Sequence, residues 1–253
     1  MLPAQRRAEM LHHIRREGGV DTESLAKRFG VSPMTARRDL KALEQENRLK
    51  LTWGGAIPLT FLSHEIPYNN KVSKMPEAKE LIADNAASLV TDGSCILLDA
   101  GTSTFALAKK ILHRKLTVVT SDLQIAMLLL QSPSISVHVT GGAVDHDSRS
   151  CNDTAVAAFL DSINVTLAFI GTNVWDVSRG ASTSSRMRMH IKRKMMERAE
   201  KTILLADSSK YGAFGPHSVA QLQDFTCIIT DPGLSKANRE SVLQSEANLR
   251  IAG

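Results

Sequence analysis

From Glu77 onward, short apolar runs alternate with amphipathic stretches, and this alternation limits the possible folds more than any other feature of the 253-residue chain. The apolar runs fall at 95–99, 116–120, 135–140, 165–170, 202–206, 226–230 and 248–251. They are nearly continuous, the pattern of strands buried on both faces. Stretches with helical spacing lie near 103–112, 122–131, 153–161, 186–200 and 235–245. An earlier helix carries Ala78, Leu81, Ile82, Ala86 and Leu89 on one face and is closed by Asp92-Gly93. The expectation is an α/β domain over 77–253 built around a mostly parallel sheet. The sequence shows no internal repeat and no low-complexity tract.

Open sheets of this class bind ligands beyond the carboxyl ends of their strands. Those ends are where this chain places polar residues. Asp99 leads into Gly101, Thr102, Ser103 and Thr104, then a helix. A glycine followed by hydroxyls at a helix N-terminus offers backbone N–H groups and side-chain donors to an anion. The next strand ends at Thr120-Ser121 and the third at Gly141-Gly142. Further on come Gly171-Thr172-Asn173, Lys192 and Asp207-Ser208-Ser209-Lys210. Lysine is a point-charge partner for phosphate, and aspartate can accept from sugar hydroxyls. Alone, the segment after Asp99 reads as a simple helix cap. Four polar loops on one sheet edge read as a binding site. The stretch 186–201 holds 7 Lys/Arg against 2 Glu. It reads as a solvated helix face, a phosphate-facing edge or a second DNA contact, in that order.

The first sixty residues differ in kind. Gln5–Arg16 has helical spacing through Ala8, Leu11 and Ile14, and Gly18-Gly19 stops it. Asp21 or Thr22 can cap a second helix with Leu25, Ala26 and Phe29 inward. Gly30 suits a tight turn, Val31 the corner, and Ser32 the cap of a third helix with Pro33 at its first position. Ala36, Leu40 and Leu43 share that helix's inner face, which turns Pro33, Met34, Thr35, Arg37, Arg38 and Lys41 outward. Such a helix, with Ser32 at its start counted among the DNA-binding residues, suits major-groove reading: arginine forks onto guanine or holds phosphate, and threonine meets a thymine methyl or a phosphate oxygen. A short strand, 49–53, brings Lys50 within reach of a neighbouring phosphate. Residues 1–58 hold 11 Lys/Arg against 7 Asp/Glu, an electrostatic footprint for a phosphate backbone. A plain three-helix bundle with a charged surface is the alternative. Residues 59–76, with Pro67, Pro76, Asn69 and Asn70, read as a linker.

Other classes find no support. No apolar run approaches the ~20 residues of a membrane helix. The N-terminus is not a secretory signal, and Cys95, Cys151 and Cys227 are widely spaced, which suits a reducing cytoplasm. His138, His146, His190 and His217 make no metal spacing, and His12-His13 reads as surface. Neither a metal nor a cofactor is expected.

A resemblance sharpens these readings. Gly30-Val31-Ser32-x-x-Thr35-x-Arg37-Arg38-Asp39-Leu40-x-x-Leu43-Glu44, followed by Gly54-Gly55-Ala56, resembles the winged helix-turn-helix signature of the DeoR family of bacterial regulators. Asn47 stands where that family usually has glycine, and Trp53 where it has histidine or tyrosine. Over about 75–250, Asp99-Ala-Gly-Thr-Ser-Thr, Thr120-Ser121, Gly141-Gly142, Phe169-Ile-Gly171, Lys192 and Leu204-Leu-Ala-Asp207-Ser-Ser-Lys210 resemble its sensor domain. The resemblance implies a fold similar to ribose-5-phosphate isomerase and glucosamine-6-phosphate deaminase. It implies a phosphorylated sugar or related effector, with the phosphate on Gly101 to Thr104 and Lys192 and Lys210 nearby. Asn173 replaces a usual aspartate, Asp153 a usual glycine, and Arg186-Met187-Arg188 a commonly acidic stretch.

The expectation is therefore a cytoplasmic repressor of a carbohydrate operon, a dimer or tetramer on double-stranded DNA. Its effector residues are expected to be Asp99, Gly101, Thr102, Ser103, Thr104, Thr120, Ser121, Gly141, Gly142, Asn173, Lys192, Asp207 and Lys210. The competing reading is a sugar-phosphate isomerase or deaminase. Asn173 offers no general base where such enzymes place an acid, which leaves Asp99 and Asp207. A regulator that keeps its α/β domain only for assembly is the third reading.

Overall fold

The computed structural model describes all residues except Met1, Gly18, Asn47, Leu59, Thr60 and Ser63, and the side chains of Arg15 and Arg16 are also outside the description. The readings that fall on Gly18 and Asn47, and on residues 59, 60 and 63 of the expected linker, lie outside the described residues. The chain divides into two compact units, residues 1–61 and 62–253.

In the first unit, α1 (Pro3–Glu17) precedes β1 (Val20–Asp21), α2 (Thr22–Phe29), α3 (Pro33–Gln45), β2 (Leu49–Thr52) and β3 (Gly55–Pro58). Asp21, in extended conformation, accepts from the Ser24 N–H and so caps α2. Gly30 ends that helix at φ 63°, a left-handed conformation that costs glycine little. Ser32 caps α3 and Pro33 fills its first turn. Met10, Ile14, Leu25, Ala36, Leu40, Leu43 and Leu49 form this unit's core. The three short strands pair antiparallel in the order β1-β3-β2. At Gly55 a Cβ would stand 2.0 Å from the Val20 carbonyl oxygen, so only glycine lets β3 lie this close to β1.

The second unit begins earlier than the expected linker implies. Leu62 is buried with Val174 and Ala213, and its N–H donates to the Phe214 carbonyl at 2.8 Å. The prolines and polar residues of this stretch conceal apolar anchors that follow no regular period. Then come α4 (Tyr68–Val72), α5 (Pro76–Ala87), β4 (Cys95–Leu98), α6 (Thr102–Lys110), β5 (Leu116–Thr120), α7 (Leu123–Leu129) and β6 (Ile135–Val139). A small hairpin, β7 (Val144–Asp145) and β8 (Ser150–Cys151), leads to α8 (Thr154–Asp161) and β9 (Val165–Gly171). After β10 (Val174–Asp176) and β11 (Gly180–Thr183) the chain forms α9 (Arg186–Glu197), β12 (Ala199–Leu205), β13 (His217–Ala220) and β14 (Cys227–Thr230). It ends with α10 (Lys236–Gln244) and β15 (Leu249–Ile251).

Seven strands make one sheet in the order β15-β14-β12-β9-β4-β5-β6, all neighbours parallel. Alternate residues serve opposite faces, as strand geometry requires. Ile96, Leu98, Phe169, Ile203 and Ile229 pack with Ile82, Leu107 and Leu129 of α5, α6 and α7. Leu97, Ala168, Ile170, Leu204 and Ile228 pack with Val156, Ile191, Met195 and Val242 of α8, α9 and α10. Strand order reverses between β4 and β9: β5 and β6 follow β4 on one side, and β9, β12, β14 and β15 lie on the other. The loops after β4 and β9 therefore part, and a crevice opens between them.

Candidate nucleic-acid interface and effector cavity

On α3, Ala36, Leu40 and Leu43 are buried, while Ser32, Pro33, Met34, Arg37, Arg38 and Lys41 are exposed and Thr35 is half-buried. The Ser32 hydroxyl accepts from the Thr35 N–H at 3.1 Å and fixes the start of the helix. Met34, Thr35, Arg37, Arg38 and Lys41 line a concavity whose opposite wall is Leu51 to Gly55. Among the described residues no carboxylate lines it. Lys50 is exposed on β2 outside that lining. Three features escape a reading of α3 alone. Trp53, fully exposed at the β2–β3 turn, lines the concavity, as do Thr22 and Thr52. Asp39 turns inward, buried, and binds Arg6 Nε of α1 at 2.7 Å, so the helix's acid points away from the basic face. Glu44 accepts the Leu51 N–H at 2.8 Å and ties α3 to the wing.

In the second unit a cavity sits at the β4–β9 reversal. Ala100 to Thr104 at the start of α6 line one side, with Gly171, Thr172 and Asn173 after β9, Lys192 and Arg188 of α9, and Lys210. The Ser103 hydroxyl is buried there and has no hydrogen-bond partner among the described residues. Thr104 is occupied, since its hydroxyl donates to the Gly101 carbonyl at 2.9 Å. Lys192 Nζ is held by Asp99 and by the Gly171 carbonyl, and Asp99 also accepts the Gly171 N–H at 2.9 Å. Asp207 pairs with Lys210 at 3.1 Å. Asp99 and Asp207 thus position the two lysines and do not line the cavity.

The expected set is only partly brought together. Gly101, Thr102, Ser103, Thr104, Asn173, Lys192 and Lys210 line the cavity, whereas Thr120, Ser121, Gly141 and Gly142 do not. Thr120 is buried and donates to the Leu98 carbonyl, joining β5 to β4. At Gly142, φ 105°, a Cβ would stand 2.4 Å from Asp153 Oδ1, which caps α8. That turn therefore serves the α8 N-terminus. Asp122 caps α7 and accepts the Gly101 N–H at 3.0 Å. Burial raises its carboxyl to about 6, against three backbone hydrogen bonds that lower it. The basic run divides: Arg188 and Lys192 face the cavity, Lys194 and Arg198 pair with Asp161, and Arg193 donates to the Ser218 and Val219 carbonyls.

Sequence reasoning missed Glu65, Lys71, Ser182 and Thr183; Thr172 lay in a loop it had read as binding, and Arg188 takes the cavity-facing role that was its second reading of the basic run. Glu65 Oε1 accepts from Lys71 Nζ at 3.0 Å and from Asn173 Nδ2 at 2.8 Å. Its Oε2 accepts from the Ser184 hydroxyl at 3.4 Å, and Arg188 Nε lies 3.6 Å away. Burial would raise the Glu65 carboxyl, but Lys71, Arg188 and the Asn173 hydrogen bond together hold it below the usual carboxylate range. Lys79 donates to the Lys71 carbonyl, and burial, with repulsion from Lys210, lowers its ammonium to about 8.

Residues 6–60 match the DeoR-like helix-turn-helix domain, and residues 74–232 match the DeoR C terminal sensor domain. The chain belongs to the DeoR family. Relatives of this DeoR-family chain align over about nine-tenths of its length or more. The HTH-type transcriptional regulator YgbI of Escherichia coli (strain K12) is 37% identical over 100% of this chain and 99% of its own. The HTH-type transcriptional regulator GlpR of Haloferax volcanii is 32% identical over 96% and 95%. The HTH-type transcriptional repressor GlcR of Bacillus subtilis (strain 168) is 32% identical over 91% and 89%. Ribose 5-phosphate isomerase A from Methanocaldococcus jannaschii superposes over 54% of each chain with TM-score 0.40 and 17% identity. The DeoR-family protein is a DNA-binding transcriptional regulator. No helix among the described residues is long and apolar enough to cross a membrane.

Proposed function

We propose that this DeoR-family regulator is a repressor of a carbohydrate-metabolism operon whose hold on DNA is set by a phosphorylated sugar or related metabolite. The observation that carries the reading is the Ser103 hydroxyl, buried without a partner among the described residues, in a cavity that also faces Lys71, Arg188, Lys192 and Lys210. A phosphate oxygen accepts from such a hydroxyl and from the free N–H groups at the start of α6. On the DNA side, Arg37, Arg38, Met34 and Thr35 meet base edges or phosphates, and Lys41 and Lys50 hold the backbone. One winged helix makes few base contacts, so a dimer or tetramer reading repeated half-sites is the working form. The ligand acts by linkage: it shifts DNA affinity only by the difference between its affinities for the two states.

Fluorescence anisotropy on the protein's own promoter region and on random duplex, across a salt series, tests the DNA half. Equal affinity for both duplexes would count against a specific regulator. A thermal-shift screen of phosphorylated sugars tests the sensor half, because a ligand of the native state raises its melting temperature. Turnover of ribose 5-phosphate or glucosamine 6-phosphate, lost in Asp99→Ala, would move the protein to the enzyme reading.

A further inference from the structure

The cavity already holds an anion supplied by the chain itself. Glu65 lies on the stretch that enters the larger unit at Leu62, and its carboxylate lines the cavity among four donors. Those donors stand on α4 (Lys71), after β9 (Asn173), after β11 (Ser184) and on α9 (Arg188). Such a nest, built from four separate parts of the domain, matches a carboxylate in both shape and charge. With Glu65 in place the cavity has a volume of ≈ 30 Å³. That is room for two or three water molecules at most, about a tenth of what a small-molecule pocket offers.

A ligand group seated on these four donors must displace the Glu65 carboxylate, and what replaces it is constrained. Arg188 keeps a counter-charge, since it also binds Asp145 at 2.6 Å. Lys71, mostly buried, has Glu65 as its carboxylate partner. With the ligand's phosphate seated at the start of α6, a hydroxyl in Glu65's place would leave the Lys71 ammonium without the carboxylate it pairs with, whereas a second carboxylate restores the pair. We infer that Glu65 is a displaceable internal anion and that the effector is a phosphorylated sugar acid whose carboxylate takes its place. This rests on the reading of the cavity as a sugar-phosphate site. It also supplies a route for the signal: expelling Glu65 removes one of the ties, between the anchors at Leu62 and Tyr68, that hold the stretch of chain arriving from the DNA-binding unit.

Calorimetry on the full chain tests this with two matched pairs, glucose 6-phosphate against 6-phosphogluconate and erythrose 4-phosphate against 4-phosphoerythronate. The acid of at least one pair is expected to bind about tenfold tighter than its aldose, the value of one charge-assisted contact. Glu65→Gln removes the competitor and is expected to tighten the acid further, while Lys71→Gln erases the preference. Hydrogen exchange, which needs no variant, is expected to quicken over 64–72 when the acid binds. Equal binding of aldose and acid, or a weaker acid in Glu65→Gln, overturns the inference. In that event a loss of aldose phosphate binding in Ser103→Ala would leave the sugar-phosphate reading standing. Binding of none of the four ligands to either protein would sink both.

Discussion

Two buried polar residues beside the cavity show how a binding site draws on fold stability. The Ser103 hydroxyl has no partner among the described residues, and leaving a buried donor unmade costs about 1–3 kcal/mol. Ser103→Ala is therefore expected to stabilise the larger unit by about that amount in chemical denaturation while weakening phosphorylated ligands in calorimetry. A destabilised variant would mean that the hydroxyl is satisfied and is not held ready for a ligand. Asp122 makes the second case. Its carboxyl titrates at about 6 in the fold against an ordinary 3.8. Between those values the folded state binds more protons than the unfolded one, so this residue's contribution to stability falls as pH rises from about 4 to about 6. The full loss is about 3 kcal/mol at 1.36 kcal/mol per pKa unit. Glu65 and Asp145, with lowered values, act in the opposite sense, so the comparison must be with Asp122→Asn. The stability difference, wild type minus variant, is expected to fall across that window and stay flat above it.

At the scale of elements, α3 separates placement from contact. Arg6 and Asp39 join α1 to α3 through a buried pair, and removing one partner of such a pair costs about 3–5 kcal/mol. Arg6→Ala is expected to melt the small unit early and abolish DNA binding. Arg37→Ala, on an exposed position, is expected to shift stability by less than about 0.5 kcal/mol while lowering DNA affinity and flattening its salt dependence. Denaturation and anisotropy on both variants separate these roles. If Arg37→Ala leaves both affinity and salt slope unchanged, α3 is not the reading helix. The same contrast explains what the sequence made legible. The central strands carry their own signal, because a strand buried on both faces must be apolar throughout. The start of α3 does too, because Gly30, Ser32 and Pro33 each answer a local backbone need. The antiparallel sheet β10-β11-β13 has no such signal: Gly180 to Thr183 is short and mixed, and is buried because Gly180 lets the backbone come close to Ala220. Glu65 and Asn173 meet across a separation of 108 residues, and no local pattern announces a contact of that range.

At the scale of the whole molecule, the two units have separate cores. Met10 to Ala56 supply one, and the buried clusters of the other begin at Leu62. Two unfolding transitions are therefore expected in calorimetry, since cooperative unfolding follows a shared core. A ligand at 100 times its Kd adds about 2.7 kcal/mol to the state that binds it. For a unit the size of the larger one, this shifts Tm by roughly 5–10 °C. A phosphorylated effector should move that transition alone when DNA is absent, and operator DNA should move that of the small unit. With both present, a regulator must show a cross-effect. The effector then alters the DNA-stabilised transition by the coupling free energy, typically about 1–3 kcal/mol, and DNA alters the effector's transition by the same amount. The sign of that term distinguishes an inducer, which lowers the DNA-bound transition, from a co-repressor, which raises it. If the cross-effect is zero while both ligands bind, the larger unit binds its ligand without controlling the DNA-binding unit.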